Sequence, residues 1–363
     1  MKRRTFIKNT TLTASATVAI SGCSGLFGPK IRLERDVELR RDPEMLKVTR
    51  KNPQAGTMPM SEIGSTGIRV SKFAFGSHMS QDLLPYEKER EFMIREAFDM
   101  GINLFDIYDQ SWNINQYEPM GKHLAPIIND VVVSVDMVPA KGLTVQQEFN
   151  RIRKLLHRDH IDMVRLHARS LDDSMWKEWE TLLRFKEKGS IRAVGVAVHF
   201  ISEINIVLPR VPVDYVIFPY NFYHNLIWDG RRGQKFDSLA EELKKQKIGV
   251  ITMKPFGTDN FINPMIDAAK ELDKGANISL PQAALRHIQN CGLNPDTTLG
   301  GMYSANHLYE DIEAYYNPEM LDEEAELLKN IRKKARIYAD ALMPNHYKFL
   351  NSWATGKAEQ KTV

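Results

Sequence analysis

The chain has 363 residues, 43% of them hydrophobic and 26% charged, enough to bury the core of one large domain. Lys and Arg number 49 against 46 Asp and Glu, a formal net charge of +3. No basic patch is interleaved with aromatic residues, so no nucleic-acid partner is expected. The only cysteines are Cys23 and Cys291, which excludes a cysteine-built zinc or iron–sulfur site.

The first residues read as an address. Lys2-Arg3-Arg4-Thr5-Phe6-Ile7-Lys8 is a basic head with paired arginines. A Thr/Ala-rich, mildly apolar run follows from about Thr10 to Ile20, and then Ile20-Ser21-Gly22-Cys23. Basic, apolar and small-residue regions in this order make an export signal, and the paired arginines resemble those of the twin-arginine (Tat) route. Ile-Ser-Gly-Cys resembles a lipobox, in which Cys23 is lipidated and becomes the mature N-terminus. The apolar run falls short of the ~20 residues of a membrane span. Removing Lys2, Arg3, Arg4 and Lys8 takes the formal charge from +3 to about −1. Cys291 would then have no internal disulfide partner. The expected organisation is a signal peptide over 1–23, a polar tether over 24–57, a folded domain over 58–345 and a tail over 346–363. The expected location is the periplasm, with a lipid anchor at Cys23.

Within the folded part, Ser61 to Val70 reads as a hairpin closing the bottom of the domain. Short apolar runs then alternate with helical patterns. The expected strands are Lys72 to Gly76, Asn103 to Asp106, Val131 to Val135, Ile161 to Leu166, Ala193 to Val198, Tyr215 to Phe218, Gly249 to Met253 and Thr297 to Gly300. Each lacks polar–apolar alternation, as strands covered on both faces do. Helices are expected over Glu87 to Met100, Asn115 to Ile128, Ser174 to Lys188, Ser238 to Gln246, Pro281 to Gln289 and Leu321 to Ala341. Thr144-Val-Gln-Gln147 is a capping box, after which Val145, Phe149, Ile152 and Leu156 share a face. Eight strand–helix alternations favour a closed parallel (β/α)₈ barrel, of the α/β class. No dinucleotide-binding Gly-rich fingerprint follows the first strand, which argues against an open doubly wound sheet.

Several blocks in chain order resemble the aldo/keto reductases. They are EIGSTGIRVSKFAFGS, GINLFDIYDQSWNINQYEPMGKHL, HIDMVRLH, KEKGSIRAVGVAVH, IGVITMKPFG and TTLGGMYSANHLYED. The resemblance covers about Ser61 to Asp311. It implies NADP(H)-dependent reduction of a small carbonyl or sugar-like molecule at the C-terminal end of the barrel. There a tyrosine gives a proton, a lysine lowers that tyrosine's pKa, an aspartate holds the lysine and a histidine orients the substrate.

Carried over by position, Asp106 matches the aspartate and His167 the histidine. Ser111 stands at the tyrosine position and Asp136 at the lysine position. Serine is a far weaker acid than a phenol, and Asp136 reverses the sign of the lysine's field. An acid beside Asp106 is expected to favour protonation of one carboxylate rather than activate a phenol. Tyr108 is a candidate replacement phenol. By resemblance the cofactor would meet Met253, Lys254, Gly301, Tyr303 and Ser304, with Tyr303 where a phosphate-binding Arg or Lys often stands. His199, Tyr220 and Trp112 are the expected ligand-pocket residues. The alternative is a barrel without reductase activity: a carbohydrate or small-ligand binding protein, or a non-redox acid–base enzyme built on Asp106, Asp136 and His167. No metal site is expected, although that trio offers oxygen and imidazole ligands.

Overall fold

A computed structural model describes residues 58–77, 87–108, 116–168, 171–198, 201–223, 236–257, 262–272, 278–302 and 305–342. The signal, the tether, the tail and the candidate site residues Cys23, Ser111, Trp112, His199, Tyr303 and Ser304 lie outside the described residues.

Two short antiparallel strands come first, β1 (Met60–Glu62) and β2 (Arg69–Ser71). Eight parallel strands then close into a barrel: β3 (Phe73–Gly76), β4 (Leu104–Ile107), β5 (Val132–Asp136), β6 (Ile161–His167), β7 (Ile191–Ala197), β8 (Tyr215–Pro219), β9 (Gly249–Met253) and β10 (Thr297–Gly300), with β10 pairing back onto β3. This is the expected (β/α)₈ fold, and every strand lies where the apolar runs put it.

The helices cover the outside: α1 (Glu87–Asp99), α2 (Tyr117–Leu124), α3 (Val145–Leu155), α4 (Asp173–Glu187), α5 (Ile201–Val207), α6 (Phe236–Lys245), α7 (Ile262–Glu271), α8 (Leu280–Asn290), α9 (Ala305–Tyr316) and α10 (Asp322–Leu342). Their starts follow local chemistry. Thr144 and Gln147 form the reciprocal capping box of α3. Asp172 accepts from the amides of Ser174 and Met175 at the head of α4, and Ser279 caps α8 in front of Pro281. The helix expected up to Ile128 stops earlier. α2 ends at Leu124 and a 3₁₀ turn, Ala125–Ile127, continues it. Pro126 has no amide hydrogen, and its ring clashes with the carbonyl four residues back.

Side chains sort by strand parity. Val133, Val135, Val164, Val194, Val196, Val216 and Phe218 join the outer core between sheet and helices. Leu104, Val132, Met163, Ala193, Tyr215, Ile217 and Ile251 fill the barrel from within, where Ile63, Ile68 and Val70 of the hairpin join them. The hairpin therefore closes the end where β9 and β10 begin. Gly64 donates its amide to Asp296 Oδ2 at 3.0 Å. A Cβ on Gly64 would sit 2.5 Å from the Gly249 amide nitrogen and the Lys247 carbonyl oxygen, so the turn seats only with glycine. With the bottom sealed, the opposite end carries the site. Among the described residues no helix is long and apolar enough to cross a membrane.

Candidate active site at the mouth of the barrel

On β4, β5 and β6 the inward parity changes character toward the strand ends. Leu104 gives way to Asp106, Val132 to Ser134 and Asp136, and Met163 to Arg165 and His167. These polar side chains meet inside the barrel. Arg165 makes a two-pronged pair with Asp106: Nη1 bonds Oδ1 and Nη2 donates to Oδ2 at 3.0 Å. The Ser134 hydroxyl donates to Asp106 Oδ1 at 2.7 Å and accepts from Arg165 Nη1 at 3.1 Å. Arg165 Nε lies 3.9 Å from Asp136 Oδ1. His167 Nδ1 lies 2.8 Å from Asp136 Oδ2. The Asp136 side chain is fully buried, whereas that of His167 is 17% exposed. The contact therefore runs from the sealed interior to the rim.

The acid expected beside Asp106 is Asp136, and a guanidinium stands with the two. Arg165 touches both Asp106 and Asp136. Burial alone would lower the arginine's pKa; Asp106 first, then Asp136 and Tyr215, more than reverse that and raise it. The guanidinium is thus a fixed charge. Tyr215 stands deeper in the barrel, where burial raises the pKa of its phenol so that it stays neutral. Its ring lies against Gly195, where an added Cβ would come within 2.4 Å of Cε2 and Cζ.

Of the other candidates, Tyr108 stands at the rim with its ring edge-on to His167, centroids 5.9 Å apart. Its amide donates to the Ser77 hydroxyl. Met253, Lys254 and Gly301 are partly exposed at the ends of β9 and β10. Lys254 holds φ +57°, a left-handed conformation unusual for lysine, and its carbonyl accepts from Asn221 Nδ2 at 3.3 Å. Tyr220 is placed differently from the pocket residue expected. Its parity turns it into the outer core, buried and parallel to the His287 ring of α8. Among the described residues no group of three or more His, Cys, Asp or Glu could hold a metal ion; a guanidinium lies among the acids instead.

Arg165, Ser134 and Tyr215 were missed in the sequence. Each lies in a run read as plain buried strand. The signal was an arginine inside HIDMVRLH, two residues before His167 and so on the same face.

A profile of the aldo/keto reductase family matches residues 73–333. The chain belongs to that family. Solved structures share the fold of this aldo/keto reductase family member at low identity. Aldo-keto reductase AKR11C1 from Bacillus halodurans, in its holo form, matches with a TM-score of 0.60 and 17% identity, over 80% of this chain and 99% of that one. A putative aldo-keto reductase from Pseudomonas aeruginosa matches with a TM-score of 0.55 and 18% identity, over 71% and 94% of the two chains. No curated protein matches the sequence.

Proposed function

We propose that the protein is an exported oxidoreductase that interconverts a carbonyl and an alcohol on a small, sugar-like molecule, with His167 backed by Asp136 moving the proton. The observation that carries this reading is the 2.8 Å contact between His167 Nδ1 and the buried Asp136 Oδ2. The carboxylate steadies the imidazole by its charge rather than by a hydrogen bond, and a histidine so placed at the rim can carry a proton to or from a substrate. The resemblance supports it from the other side. Ser111 and Asp136 occupy the positions of the family's tyrosine and lysine, so the proton needs another carrier.

NADP(H) is the cofactor generally bound in this family, and the residues present fit it. Met253 and Gly301 are partly exposed at the rim. α9 begins at Ala305, just past the end of β10. A helix start there offers backbone amides to a phosphate. Gly300 is held by packing, since a Cβ on it would meet the Phe73 ring of the outer core at 2.2 Å. When bound, the cofactor supplies the hydride. Asp136 orients the imidazole, His167 gives or takes the proton at the substrate oxygen, and Tyr108 walls the imidazole on one side. Export through a route that carries folded proteins would let the barrel leave the cytoplasm already loaded, and Cys23 would anchor it.

The test is titration of the mature protein with NADPH and NADH, with a search for nicotinamide released on denaturation. Carbonyl reduction is then assayed in the wild type and His167→Gln. Binding is expected to persist in the variant while turnover falls by ~10²–10⁴-fold. No binding at millimolar cofactor would overturn the reading in favour of a non-redox barrel built on Asp106, Asp136 and His167. Fractionation checks the anchor: Cys23→Ser should release the protein from the membrane fraction.

A further inference from the structure

Among the described residues three arginines are buried: Arg90, Arg165 and Arg286. Arg165 lies on Asp106 and Arg286 on Glu324, so each of these two has a carboxylate. Arg90, in the first turn of α1, has a neutral amide instead. Its Nη2 donates to Gln116 Oε1 at 2.6 Å. Its Nε and Nη1 are buried with no hydrogen-bond partner, and so is Gln116 Nε2. The Arg90 residue is 1% exposed and Gln116 is fully buried. Burial lowers the arginine's pKa to about 10, and no carboxylate among the described residues raises it again. The guanidinium is therefore still charged at neutral pH. A buried charge with neither a counter-charge nor full hydrogen bonding is costly. Buried donors left over in a native fold point to a group that takes them.

We propose that Arg90 and Gln116 form a carboxylate-binding site between the heads of α1 and α2, beside the mouth of the barrel. α1 follows β3 and α2 follows β4, so both heads lie at the end that carries the mouth, and the two helices pack together. Gln116 is the N-cap residue of α2, yet its side chain does not cap the helix and turns to the guanidinium instead. The next residue, Tyr117, donates its hydroxyl to the Asp136 backbone oxygen at 3.1 Å, which ties this corner to a strand end of the candidate active site. The ligand's chemistry follows from the donors. One guanidinium brings one positive charge, which suits a monoanion; a phosphate dianion would leave a net negative charge in a buried place. Gln116 Oε1 already touches Nη2, so the amide Nε2 lies beside the guanidinium's own donors. Two oxygens at carboxylate spacing can accept from both groups, which a single-atom halide cannot. The site stands apart from the proton chemistry at His167 and does not require it.

The test uses the mature chain in a buffer free of carboxylates, with acetate as the probe. Binding is read by thermal unfolding and by the Arg90 Nε–H signal in ¹⁵N NMR, assigned with Arg90→Met. Acetate should raise the wild-type midpoint in a saturable way and shift the Arg90 signal, whereas chloride at equal ionic strength should do neither. Arg90→Met should weaken the apparent affinity for acetate by ~10-fold or more. Gln116→Glu supplies a carboxylate to Arg90 from within the chain. It should unfold at a higher temperature than the acetate-free wild type and no longer respond to acetate, and it decides the matter should Arg90→Met not fold. Gluconate carries the carboxylate on a sugar-like chain. Binding tighter than that of acetate assigns the carboxylate to a ligand that extends toward the mouth, and equal binding assigns it to a free small acid; the site stands in either case. An unmoved midpoint and signal at ~50 mM acetate, or the same rise in wild type and Arg90→Met, would overturn the proposal. So would a Gln116→Glu protein that responds to acetate as the wild type does.

Discussion

Asparagine at position 106 would break the central ion pair with little change in shape. Asp106 takes both Nη nitrogens of Arg165 and the Ser134 hydroxyl, and the paired side chains are only 5–6% exposed. Removing one partner of such a buried pair costs ~3–5 kcal/mol, because the remaining charge is stranded. Here the stranded guanidinium still has Asp136 Oδ1 at 3.9 Å, within reach of Nε. The loss should therefore lie at the low end, about 3 kcal/mol. In urea this should appear as a lower midpoint with an unchanged slope. The thermal midpoint should fall by ~6–12 °C at ~2–4 °C per kcal/mol. The companion is Asp106→Asn with Arg165→Met, which removes both charges. It should recover most of the loss, giving a coupling energy of about 2 kcal/mol. A loss under ~1 kcal/mol in the single variant, or a double variant as unstable as the sum of its parts, would refute a pair that is buried and mutually dependent.

Two further substitutions test the surroundings. Gly195→Ala puts a methyl 2.4 Å from the Tyr215 ring in a filled barrel and should cost ~1–3 kcal/mol in urea unfolding; wild-type stability would mean that the ring has room to move. His287 on α8 is the site of a pH effect. Burial first, and then the neighbouring Arg332, push its pKa down from 6.5 to about 4. The unfolded chain therefore binds the extra proton between those values, so stability rises with pH through this window and is lost as pH falls. At pH 5 the penalty is about 2 kcal/mol, and His287→Leu should show that much less loss between pH 7 and pH 5 than the wild type. Equal losses in the two proteins would place the acid sensitivity elsewhere.

The fold was legible because it rests on features that a linear reading can see. Apolar runs of strand length mark strands covered on both faces, and Thr144 with Gln147 announces a helix start without any tertiary contact. Where tertiary or backbone chemistry intervenes, the reading slipped. Pro126 cut short a helix whose apolar pattern continued. α5, α7 and α9 were not singled out. Tyr220 shows the same limit at the site. An aromatic just past a strand end looked like a pocket wall, but its place in the alternation sends it outward against His287.

Asp106, Asp136 and His167 could be picked out because each ends a strand, where a resemblance can be laid on position by position. Arg165 could not be found in that way, since it lies inside a buried strand at a position that no block of the resemblance marks. Its place depends on two facts absent from any single segment. One is parity, which puts Arg165 on the inner face with Met163 and His167. The other is the stagger between neighbouring strands, which sets Asp136 opposite Arg165 and Asp106 opposite Ser134. Arg165 is bound on one edge to Asp106 and faces Asp136 on the other, and that placement is visible only once the barrel closes.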